Sequence, residues 1–330
     1  MKIAVVILNW NGVKLLEQFL PSVVQYSSEA TVYVADNAST DDSISFVKAN
    51  FTTVQIIKND YNFGFAQGYN EALKNVNADI FALINSDIEV TENWLQPIIE
   101  TFKNEAQTAI IQPKILDYKR KEYFEYSGAG GGFIDKYGYP FCRGRIFETL
   151  EKDNGQYNDS CEIFWASGAC FFIRSSVYKE LNGFDSDFFA HQEEIDLCWR
   201  AFNNNHIIKY NGDSTVYHVG GATLNEGNPK KTFLNFRNSL LMLVKNLPKE
   251  SLVKLLFLRM ILDGIAGIRF LFQGKILHSI AVLKAHFYFY HLLSINYKKR
   301  GKTQLKKYYK VKSIVYNYYI KHGIVFEKLF

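Results

Sequence analysis

The sequence predicts an α/β fold in which a mostly parallel central sheet is followed by a helical, basic extension. Two observations support this prediction. Short, continuously apolar runs alternate with segments of helical periodicity over the first hundred residues, a rhythm typical of parallel strands joined by right-handed crossovers. The net charge then changes sign along the chain: residues 1–229 carry 18 Lys and Arg against 30 Asp and Glu, whereas residues 230–330 carry 20 against three.

The elements of the first hundred residues are the clearest. Apolar, β-rich runs predict buried strands over residues 3–8, 31–35, 54–57 and 80–84. Recurring apolar residues and helix-start signals predict helices over residues 15–24, 43–49, 65–76 and 92–105. From about residue 106 the rhythm weakens, and we expect short strands at residues 110–111, 133–134, 171–173, 207–210 and 216–217. A helix is expected at residues 193–203, with Asp196 and Arg200 spaced to pair on one face.

Composition limits the classes of function. A chain of 330 residues with 48% hydrophobic residues and only six prolines is neither disordered nor collagen-like. An acidic surface over residues 1–229 does not suit nucleic acid, and a basic, aromatic C-terminal part suits an anionic membrane surface or an acidic partner. No run reaches the ~18 uncharged apolar residues of a transmembrane helix. The first apolar run, Ile3–Leu8, is too short for the core of a signal peptide.

Polar residues follow each of the four early strands. They are Asn9 and Asn11, then Asp36 and Asn37, then Asn62 and Gly64, and finally Asn85, Ser86 and Asp87. Ligands of open α/β sheets bind outside the carboxyl ends of the strands, so these residues predict a site along one rim of the sheet. Any one loop, taken alone, is equally well explained by ordinary turn chemistry.

Three features could carry chemistry at such a site. Asp87, delivered by a buried strand, could bind Mg²⁺ or Mn²⁺ together with substrate phosphates, or it could cap the following helix. The adjacent Glu193 and Glu194 could raise each other's pKa and supply a general base, or they could be an ordinary acidic helix start. His218 follows an apolar strand and could bind a metal, although a lone histidine is more often structural.

Seven segments, in order, resemble the family 2 glycosyltransferases of the GT-A fold, close to their rhamnosyltransferase-like branch. The segments are VVILNWNG (5–12), VADNASTDDS (34–43), NFGFAQGYN (62–70), LINSDIEV (83–90), WASGACFFIRSSVYKELNGFD (165–185), EEIDLCWR (193–200) and HVGGAT (218–223). The resemblance covers residues 3 to about 225. It implies an inverting transfer of a sugar from a nucleotide diphosphate donor, assisted by Mn²⁺ or Mg²⁺.

The resemblance also implies roles for individual residues. Nucleotide and donor binding would fall to Asn9, Asn11, Asp36, Asn37, Asn62, Gly64, Asn70, Ser86 and Asp87. The metal would be held by Asp87 and His218, with Asn85 standing at the first position of the DxD-like motif. Glu194 would be the base, and Glu193 remains the alternative because the family usually has Asp where Glu194 stands. Acceptor contacts would come from Trp165, Gly168, Asp185 and Arg237, although the aromatics could be core and Arg237 a surface residue.

The resemblance and the charge division together suggest the organisation of the chain. Residues 1–229 would form the catalytic domain, with a nucleotide-binding half at about 1–105 and an acceptor half at about 106–229. Residues 230–330 would form a helical, membrane-associating extension. Residues 296–330 hold ten Lys and Arg against one acid, interleaved with tyrosines, a pattern typical of membrane interfaces and also compatible with a solvated tail.

The predicted function is therefore sugar transfer to a saccharide or lipid-linked acceptor in cell-surface polysaccharide synthesis. We expect a peripheral protein on the inner, cytoplasmic face of the cell membrane. One alternative is a sugar nucleotidyltransferase, but Asn9–Gly12 is not the Gly- and Arg-rich phosphate loop that such an enzyme needs. The other is a non-catalytic, membrane-associated saccharide-binding protein, which predicts loss of the metal and base carboxylates that this sequence retains.

Overall fold

A computed structural model describes residues 1–220 and 227–329. The strands are β1 (Ile3–Asn9), β2 (Ala30–Asp36), β3 (Gln55–Lys58), β4 (Ile80–Asn85), β5 (Ile88–Val90), β6 (Thr108–Asp117), β7 (Gly132–Ile134), β8 (Pro140–Cys142), β9 (Arg145–Ile146), β10 (Thr149–Leu150), β11 (Ser160–Glu162), β12 (Cys170–Arg174) and β13 (Ile207–His218). The helices are α1 (Val13–Gln25), α2 (Ser43–Asn50), α3 (Gly64–Leu73), α4 (Gln96–Asn104), α5 (Ser175–Glu180), α6 (Glu193–Asn203), α7 (Pro229–Asn246), α8 (Lys249–Phe272), α9 (Ile276–Lys298) and α10 (Ile314–Tyr319). Short 3₁₀ turns lie at Ser186–Phe188 and Phe326–Leu329.

The central sheet confirms the predicted α/β class. Its strand order is β11-β13-β6-β12-β4-β1-β2-β3, with β5 paired to β13, and β7–β10 form a separate small sheet. β1 pairs in parallel with both β2 and β4, and β2 pairs in parallel with β3. β12 is inserted antiparallel between β4 and β6. Asn9 is in register with Asp36, and Leu8 with Asn85, so the polar ends of β1, β2 and β4 meet at one rim.

Burial explains why these segments become strands and helices. β1 is covered on both faces, with Val5 and Val6 fully buried, as its continuous apolar run predicts. α1 buries the stripe Leu16, Phe19, Leu20 and Val23 against the sheet.

The less regular second half departs further from the sequence pattern. β6 extends well beyond residues 110–111 because its polar residues find partners in the interior: the Gln112 amide donates to the carbonyl oxygen of Gly128 (3.0 Å), and Lys114 pairs with Asp153 (2.9 Å). β13 runs continuously over its two predicted pieces, with an irregular register between Asn211 and Thr215.

The C-terminal extension is packed against the rest of the chain. α9 lies against α7 and α8, and the residues that follow α9 return to the small sheet. Tyr308 packs on Trp199 at 4.9 Å between ring centroids, the Ile314 backbone N–H donates to Asp135 Oδ2 (3.0 Å), and Phe326 packs on Phe133. The basic tail thus contributes apolar side chains to the main core. Over the described ranges, no helix combines the length and apolarity that membrane crossing requires.

A buried ion network joins the extension to α6. Lys245 of α7 donates to Asp185 (2.6 Å) and to Asp196 (2.8 Å), and all three side chains are buried. Asp196 also accepts from Arg200 (2.8 Å), which confirms the predicted pairing on α6, and from the Asn246 amide (2.8 Å). Buried carboxylates persist only when they are paired and hydrogen-bonded, so α7 supplies a cation that the neighbouring elements require.

Replacing Lys245 should therefore strongly destabilise the folded protein. Lys245→Met leaves the carboxylates of Asp185 and Asp196 without this cation, and we expect the free energy of unfolding to fall by about 3–5 kcal/mol. Lys306→Met is the matched control because the Lys306–Glu250 pair is exposed, and it should cost less than about 1 kcal/mol. Urea denaturation of both variants measures the difference; equal losses would contradict a structural role for the network.

Candidate active site

Asn9 and Asp36 form the centre of the rim. Asn9 Nδ2 donates to Asp36 Oδ1 (3.2 Å) and to Ser39 Oγ (3.2 Å), while Asp36 Oδ2 accepts from the backbone N–H of Ser39 (3.0 Å). The Asn9 side-chain oxygen is buried and has no hydrogen-bond partner in the part of the chain that the structure describes. A Cβ on Gly12 would come within 2.5 Å of that oxygen, so only glycine fits beside it. Ser39, which the sequence reasoning did not single out, thus orients both side chains.

Asn11 and Asn37 are used mainly to hold loops. Asn11 has a positive φ of 50°, and its side-chain oxygen accepts from the backbone N–H of Thr40 (2.7 Å). Asn37 Nδ2 donates to Asn62 Oδ1 (3.0 Å) and to the Gly64 carbonyl oxygen (3.0 Å). The Asn37 oxygen accepts from Asn59 Nδ2 (3.1 Å), another residue that the sequence reasoning missed. Asn37 and Asn62 therefore shape the wall of the rim.

Gly64 lies where the rim meets the segment before α6. Its φ is +74°, and a Cβ there would lie 2.6 Å from the ring of Phe189. The backbone N–H of Phe65 donates to the carbonyl oxygen of Phe189 (2.9 Å), which fixes the close approach. Ser86 lies at the same rim as Asn9, because its Oγ would be 3.7 Å from a Cβ placed on Gly12 beside Asn9. Glycine at position 64 is thus required by both conformation and space.

Three predicted site residues point into the protein. The Asn70 amide donates to the Phe184 carbonyl oxygen (2.8 Å) and accepts from Tyr178 and from the Phe184 backbone. Trp165 donates to the Phe133 carbonyl oxygen (2.8 Å) and is buried, in agreement with the alternative that the aromatics are core. Asp185 forms ion pairs with Lys245 and Lys299. Burial alone would raise the pKa of its carboxyl, but the two cations outweigh it and lower that pKa.

Pairing of β5 with β13 brings Asp87 to His218. Asp87 Oδ1 lies 3.2 Å from His218 Nε2, and Asn85 Nδ2 lies 3.5 Å from the same nitrogen. On the other side of the ring, Glu125 Oε1 lies 3.2 Å from His218 Nδ1. Burial disfavours the imidazolium, but the charges of Glu125 and Asp87 outweigh it and raise the pKa of His218 to about 10. Burial likewise opposes ionisation of Asp87, and His218 nevertheless lowers the pKa of that carboxyl.

Glu125 was not predicted from the sequence. It follows β6 in a loop without periodic pattern, and it is held by hydrogen bonds of its backbone N–H to the Ile115 carbonyl oxygen (3.1 Å) and of its carboxylate to the Ser127 backbone N–H. A histidine that binds a metal through one ring nitrogen commonly directs the other at a carboxylate. Glu125 occupies that position relative to Asp87 and His218. The remainder of the HVGGAT segment, residues 221–223, lies outside the described residues.

The donor set is compatible with a divalent cation shared with a phosphate ligand. Asp87 contributes a carboxylate and His218 a ring nitrogen, and Asn85 lies beside them. Within the described ranges no group of three or more His, Cys, Asp or Glu side chains could hold a metal alone. Mg²⁺ and similar hard cations typically use one or two carboxylates and complete their coordination with water and substrate phosphates. The residues therefore fit a cation that binds together with a diphosphate.

Glu193 and Glu194 begin α6 beside the same rim. The Asn85 backbone N–H donates to the Ala169 carbonyl oxygen (2.9 Å), so β12 begins next to the end of β4. Gly168 precedes it, and a Cβ there would lie 3.7 Å from the carboxyl carbon of Glu194. As a whole residue Glu194 is partly exposed and Glu193 is buried, and each has one buried carboxylate oxygen that lacks a hydrogen-bond partner in the described structure.

The environment of these carboxyls alters their acidity. Burial raises the pKa of Glu194 to about 7. Hydrogen bonds from several backbone N–H groups favour its ionised form, but they only partly offset the effect of burial. Burial, reinforced by the charge of Glu194, raises the pKa of Glu193 well above its ordinary range. The preceding segment is strained, since Phe189, His191 and Gln192 all have φ between 62° and 71°. Such backbone strain persists where surrounding contacts over-determine a functional segment.

Arg237 and Asn238 on α7 provide those contacts. Arg237 donates to the carbonyl oxygens of Asp187 (2.8 Å) and Phe188 (3.2 Å). Asn238 Nδ2 donates to the carbonyl oxygens of Phe188 (2.9 Å), Ala190 (2.9 Å) and His191 (2.7 Å). The Arg-Asn pair thus fastens the segment that leads into the two glutamates.

Comparisons with known proteins identify the family and the fold of the chain. The model of the family Glycosyl transferase family 2 matches residues 4–181. The chain is 22% identical over 219 residues to an N-acetylglucosaminyl-diphospho-decaprenol L-rhamnosyltransferase of Mycobacterium tuberculosis, covering 62% of this chain and 71% of that protein.

Two solved structures share the fold. GalNAc-T7 with UDP, GalNAc and Mn²⁺ superimposes with a TM-score of 0.58 at 14% identity over 76% of this chain, which spans only 48% of that longer one. The mannosyltransferase PcManGT from Pyrobaculum calidifontis, in complex with GDP-Man and Mn²⁺, gives a TM-score of 0.53 at 12% identity over 88% and 87% of the two chains. The family match covers more than half of the chain, which therefore belongs to glycosyl transferase family 2 and is a glycosyltransferase of the GT-A fold.

Proposed function

We propose that this glycosyltransferase moves a sugar, with inversion and with a divalent cation, from a nucleotide diphosphate sugar to a lipid-linked saccharide. One observation carries the proposal: Asp36, the Asp87–His218 pair and Glu194 belong to a single rim of the sheet. These groups match the needs of base recognition, diphosphate binding and proton removal. The chemistry requires no covalent enzyme nucleophile.

The donor would bind along the rim from β2 to β4. Asp36 is oriented by Asn9 and Ser39 and would accept a hydrogen bond from the nucleotide base. Asp87 and His218 would hold Mn²⁺ or Mg²⁺ on the diphosphate, with Glu125 orienting the imidazole. When bound, the cation acts as a Lewis acid that offsets the charge gathering on the leaving diphosphate. The structures of GalNAc-T7 and PcManGT contain UDP with GalNAc and GDP-Man, respectively, each together with Mn²⁺.

Glu194 is the better candidate for the base. Glu194 is the less buried of the two residues and lies beside Gly168, whereas Glu193 is buried as a whole residue. A pKa of about 7 leaves Glu194 substantially ionised near neutral pH while keeping it basic enough to accept a proton from a hydroxyl group. Attack from the face opposite the leaving group then inverts the anomeric centre through an oxocarbenium-like transition state.

The acceptor and the location are proposed from two further observations. The Mycobacterium tuberculosis relative is named for an acceptor that joins a saccharide to a lipid through a diphosphate. The extension of this chain exposes apolar side chains on α8 and α9 and carries most of the positive charge. We therefore place the enzyme on the inner, anionic face of the cell membrane, with cell-surface polysaccharide synthesis as its role.

The metal site can be tested through binding alone. Asp87→Ala removes the carboxylate shared with the cation, and we expect at least a tenfold loss of Mn²⁺-dependent affinity for UDP, GDP and dTDP. Isothermal titration calorimetry with and without Mn²⁺ measures this effect. Asp213→Ala, which removes an exposed carboxylate of β13, should bind as the wild type does. Equal Mn²⁺-dependent binding by Asp87→Ala and the wild type would exclude the proposed metal role.

The base can be tested through transfer and its pH dependence. Glu194→Gln should keep donor binding and lower the transfer of labelled sugar into lipid extracts by 10²–10⁴-fold, the usual contribution of a general base. Because only ionised Glu194 accepts a proton, kcat/KM of the wild type should fall about tenfold per pH unit below pH ~7 and level off above it.

Glu193→Gln is the matched variant, since it changes the neighbouring carboxyl in the same way. It should retain transfer with an acid limb close to that of the wild type, because burial raises the pKa of Glu194 and Glu193 keeps its proton while Glu194 titrates. Loss of transfer in Glu193→Gln together with retention in Glu194→Gln would assign the base to Glu193 instead.

A further inference from the structure

A cleft of about 430 Å³ lies between the start of α7 and the first half of α9. Its lining combines two kinds of side chain. Lys230, Arg237 and Lys284 supply three positive charges, and Phe233, Leu277 and Ile280 are among the apolar residues beside them. The cleft is separate from the rim that we assign to the donor. A site with both properties suits a ligand that has an anionic group attached to an apolar chain.

The cations of the cleft lack a close counter-ion. Within the described residues, none of the three lies within ion-pair distance of a carboxylate, and the charge of Asp187 acts on Arg237 from farther away. Arg237 donates to backbone carbonyls and to the Asn238 amide oxygen, and burial lowers the pKa of its guanidinium. The Lys230 ammonium lies 5.2 Å from the centroid of the Phe189 ring. An anion bound here would supply a counter-charge, and a phosphate oxygen would accept from Nη1 of Arg237, which donates to no described residue.

Apolar side chains are exposed at the cleft and on α8, the helix that packs on α9. Leu277 is 65% exposed, and on α8 Val253, Phe257 and Phe272 are 80%, 64% and 90% exposed. α8 buries one ion pair, in which Arg259 pairs with Asp263 and donates to Ser239 Oγ (2.8 Å). An apolar face of this extent, with exposed Lys254, Arg269 and Lys275 on the same two-helix unit, fits an anionic lipid surface.

The inner end of the cleft adjoins the segment before the catalytic glutamates. Arg237 holds the carbonyls of Asp187 and Phe188, and Lys230 covers the ring of Phe189. Glu194 follows five residues later, at the start of α6. A ligand whose anionic group sits in the cleft can therefore extend in one direction along the apolar surface and in the other toward the base.

We propose that this α7–α9 cleft binds the phosphate or diphosphate group of the lipid-linked acceptor. Lys230, Arg237 and Lys284 contact the phosphate oxygens, and the lipid chain leaves over Leu277 and Ile280 into the bilayer. The inference rests on the proposed function, since it takes the acceptor to be lipid-linked. It adds the site that recognises the acceptor and the direction from which the acceptor enters.

Farnesyl diphosphate is a soluble probe of this chemistry. Its binding to the full chain is measured by calorimetry in EDTA, which removes divalent cations from the donor rim. We expect the double variant Lys230→Gln/Lys284→Gln, at two exposed positions, to bind at least tenfold more weakly than the wild type. The control Lys254→Gln/Lys298→Gln removes the same charge from exposed positions outside the cleft and should bind within about twofold of the wild type. Equal affinity of the two double variants would overturn the proposal.

Two further probes separate the sources of the signal. Inorganic pyrophosphate and farnesol should each bind the wild type at least tenfold more weakly than farnesyl diphosphate. A pyrophosphate affinity equal to that of farnesyl diphosphate would make this a site for free phosphate, and an equal farnesol affinity would leave the cations without a role; either result overturns the proposal. Thermal melting of both double variants within about 2 °C of the wild type shows that they are folded.

A donor titration distinguishes failure of this inference from failure of the proposed function. UDP, GDP and dTDP with Mn²⁺ should bind the Lys230→Gln/Lys284→Gln variant as tightly as the wild type, because the rim is untouched. If the donor nucleotides bind normally but farnesyl diphosphate binds the Lys230→Gln/Lys284→Gln variant as tightly as the wild type, only the proposal for the cleft is overturned. If the wild type binds none of the donor nucleotides but the variant binds farnesyl diphosphate more weakly than the wild type, the transfer reaction is contradicted and the lipid phosphate site is supported.

Discussion

The position of Lys245, buried between Asp185 and Asp196, is the interaction on which the rest of the site depends. The two carboxylates flank the segment that leads into Glu193 and Glu194, the proposed catalytic residues, and removing their cation would leave buried negative charge uncompensated. Because the cation comes from α7, the extension completes the electrostatics of the site. The basic character of residues 230–330 is thus partly internal, since Arg259, Lys299 and Arg300 also donate to buried or loop groups.

The ion pairs of Lys245 stabilise an unfavourable backbone and charge arrangement in the segment before α6. Three non-glycine residues before α6 have left-handed backbone conformations, and two adjacent carboxyls are held in a poorly solvated place. The hydrogen bonds from Arg237 and Asn238 to this segment offset the cost. The raised pKa of Glu194 follows from the same burial, and it suits the role of general base that we propose for this residue.

How far the sequence predicts the molecule depends on the kind of signal. β1, β2 and β4 and their common polar rim were predictable because fully buried strands are continuous apolar runs that end in polar turns. The Asp87–His218 pair followed from the family resemblance. Glu125 and Ser39 lie in loops without periodicity, and β5 has only three residues, so no pattern could single them out. The domain boundary at residue 229 stays a prediction.

The type of a polar residue did not predict the direction of its side chain where partners distant in sequence decide it. Asn70 and Asp185 belong to matching motifs, yet their side chains are used within the protein by Phe184 and Lys245. The basic, tyrosine-rich tail resembles a membrane anchor, yet Tyr308 and Phe326 are buried. The exposed apolar surface lies instead on α8 and α9. Arg259 of α8 turns inward because Ser239 of α7 and the Gly138 carbonyl oxygen accept its hydrogen bonds, whereas Lys254, Arg269 and Lys284 are exposed.

The central claim is single-displacement sugar transfer by a carboxylate base at the rim. Its most direct test is the anomeric configuration of the product, followed by proton NMR while the enzyme transfers sugar from a nucleotide diphosphate donor to a lipid-linked saccharide. The account predicts that the first product formed has the configuration opposite to that of the donor. A first product with retained configuration would contradict the account, because it requires two displacements or attack on the face of the leaving group.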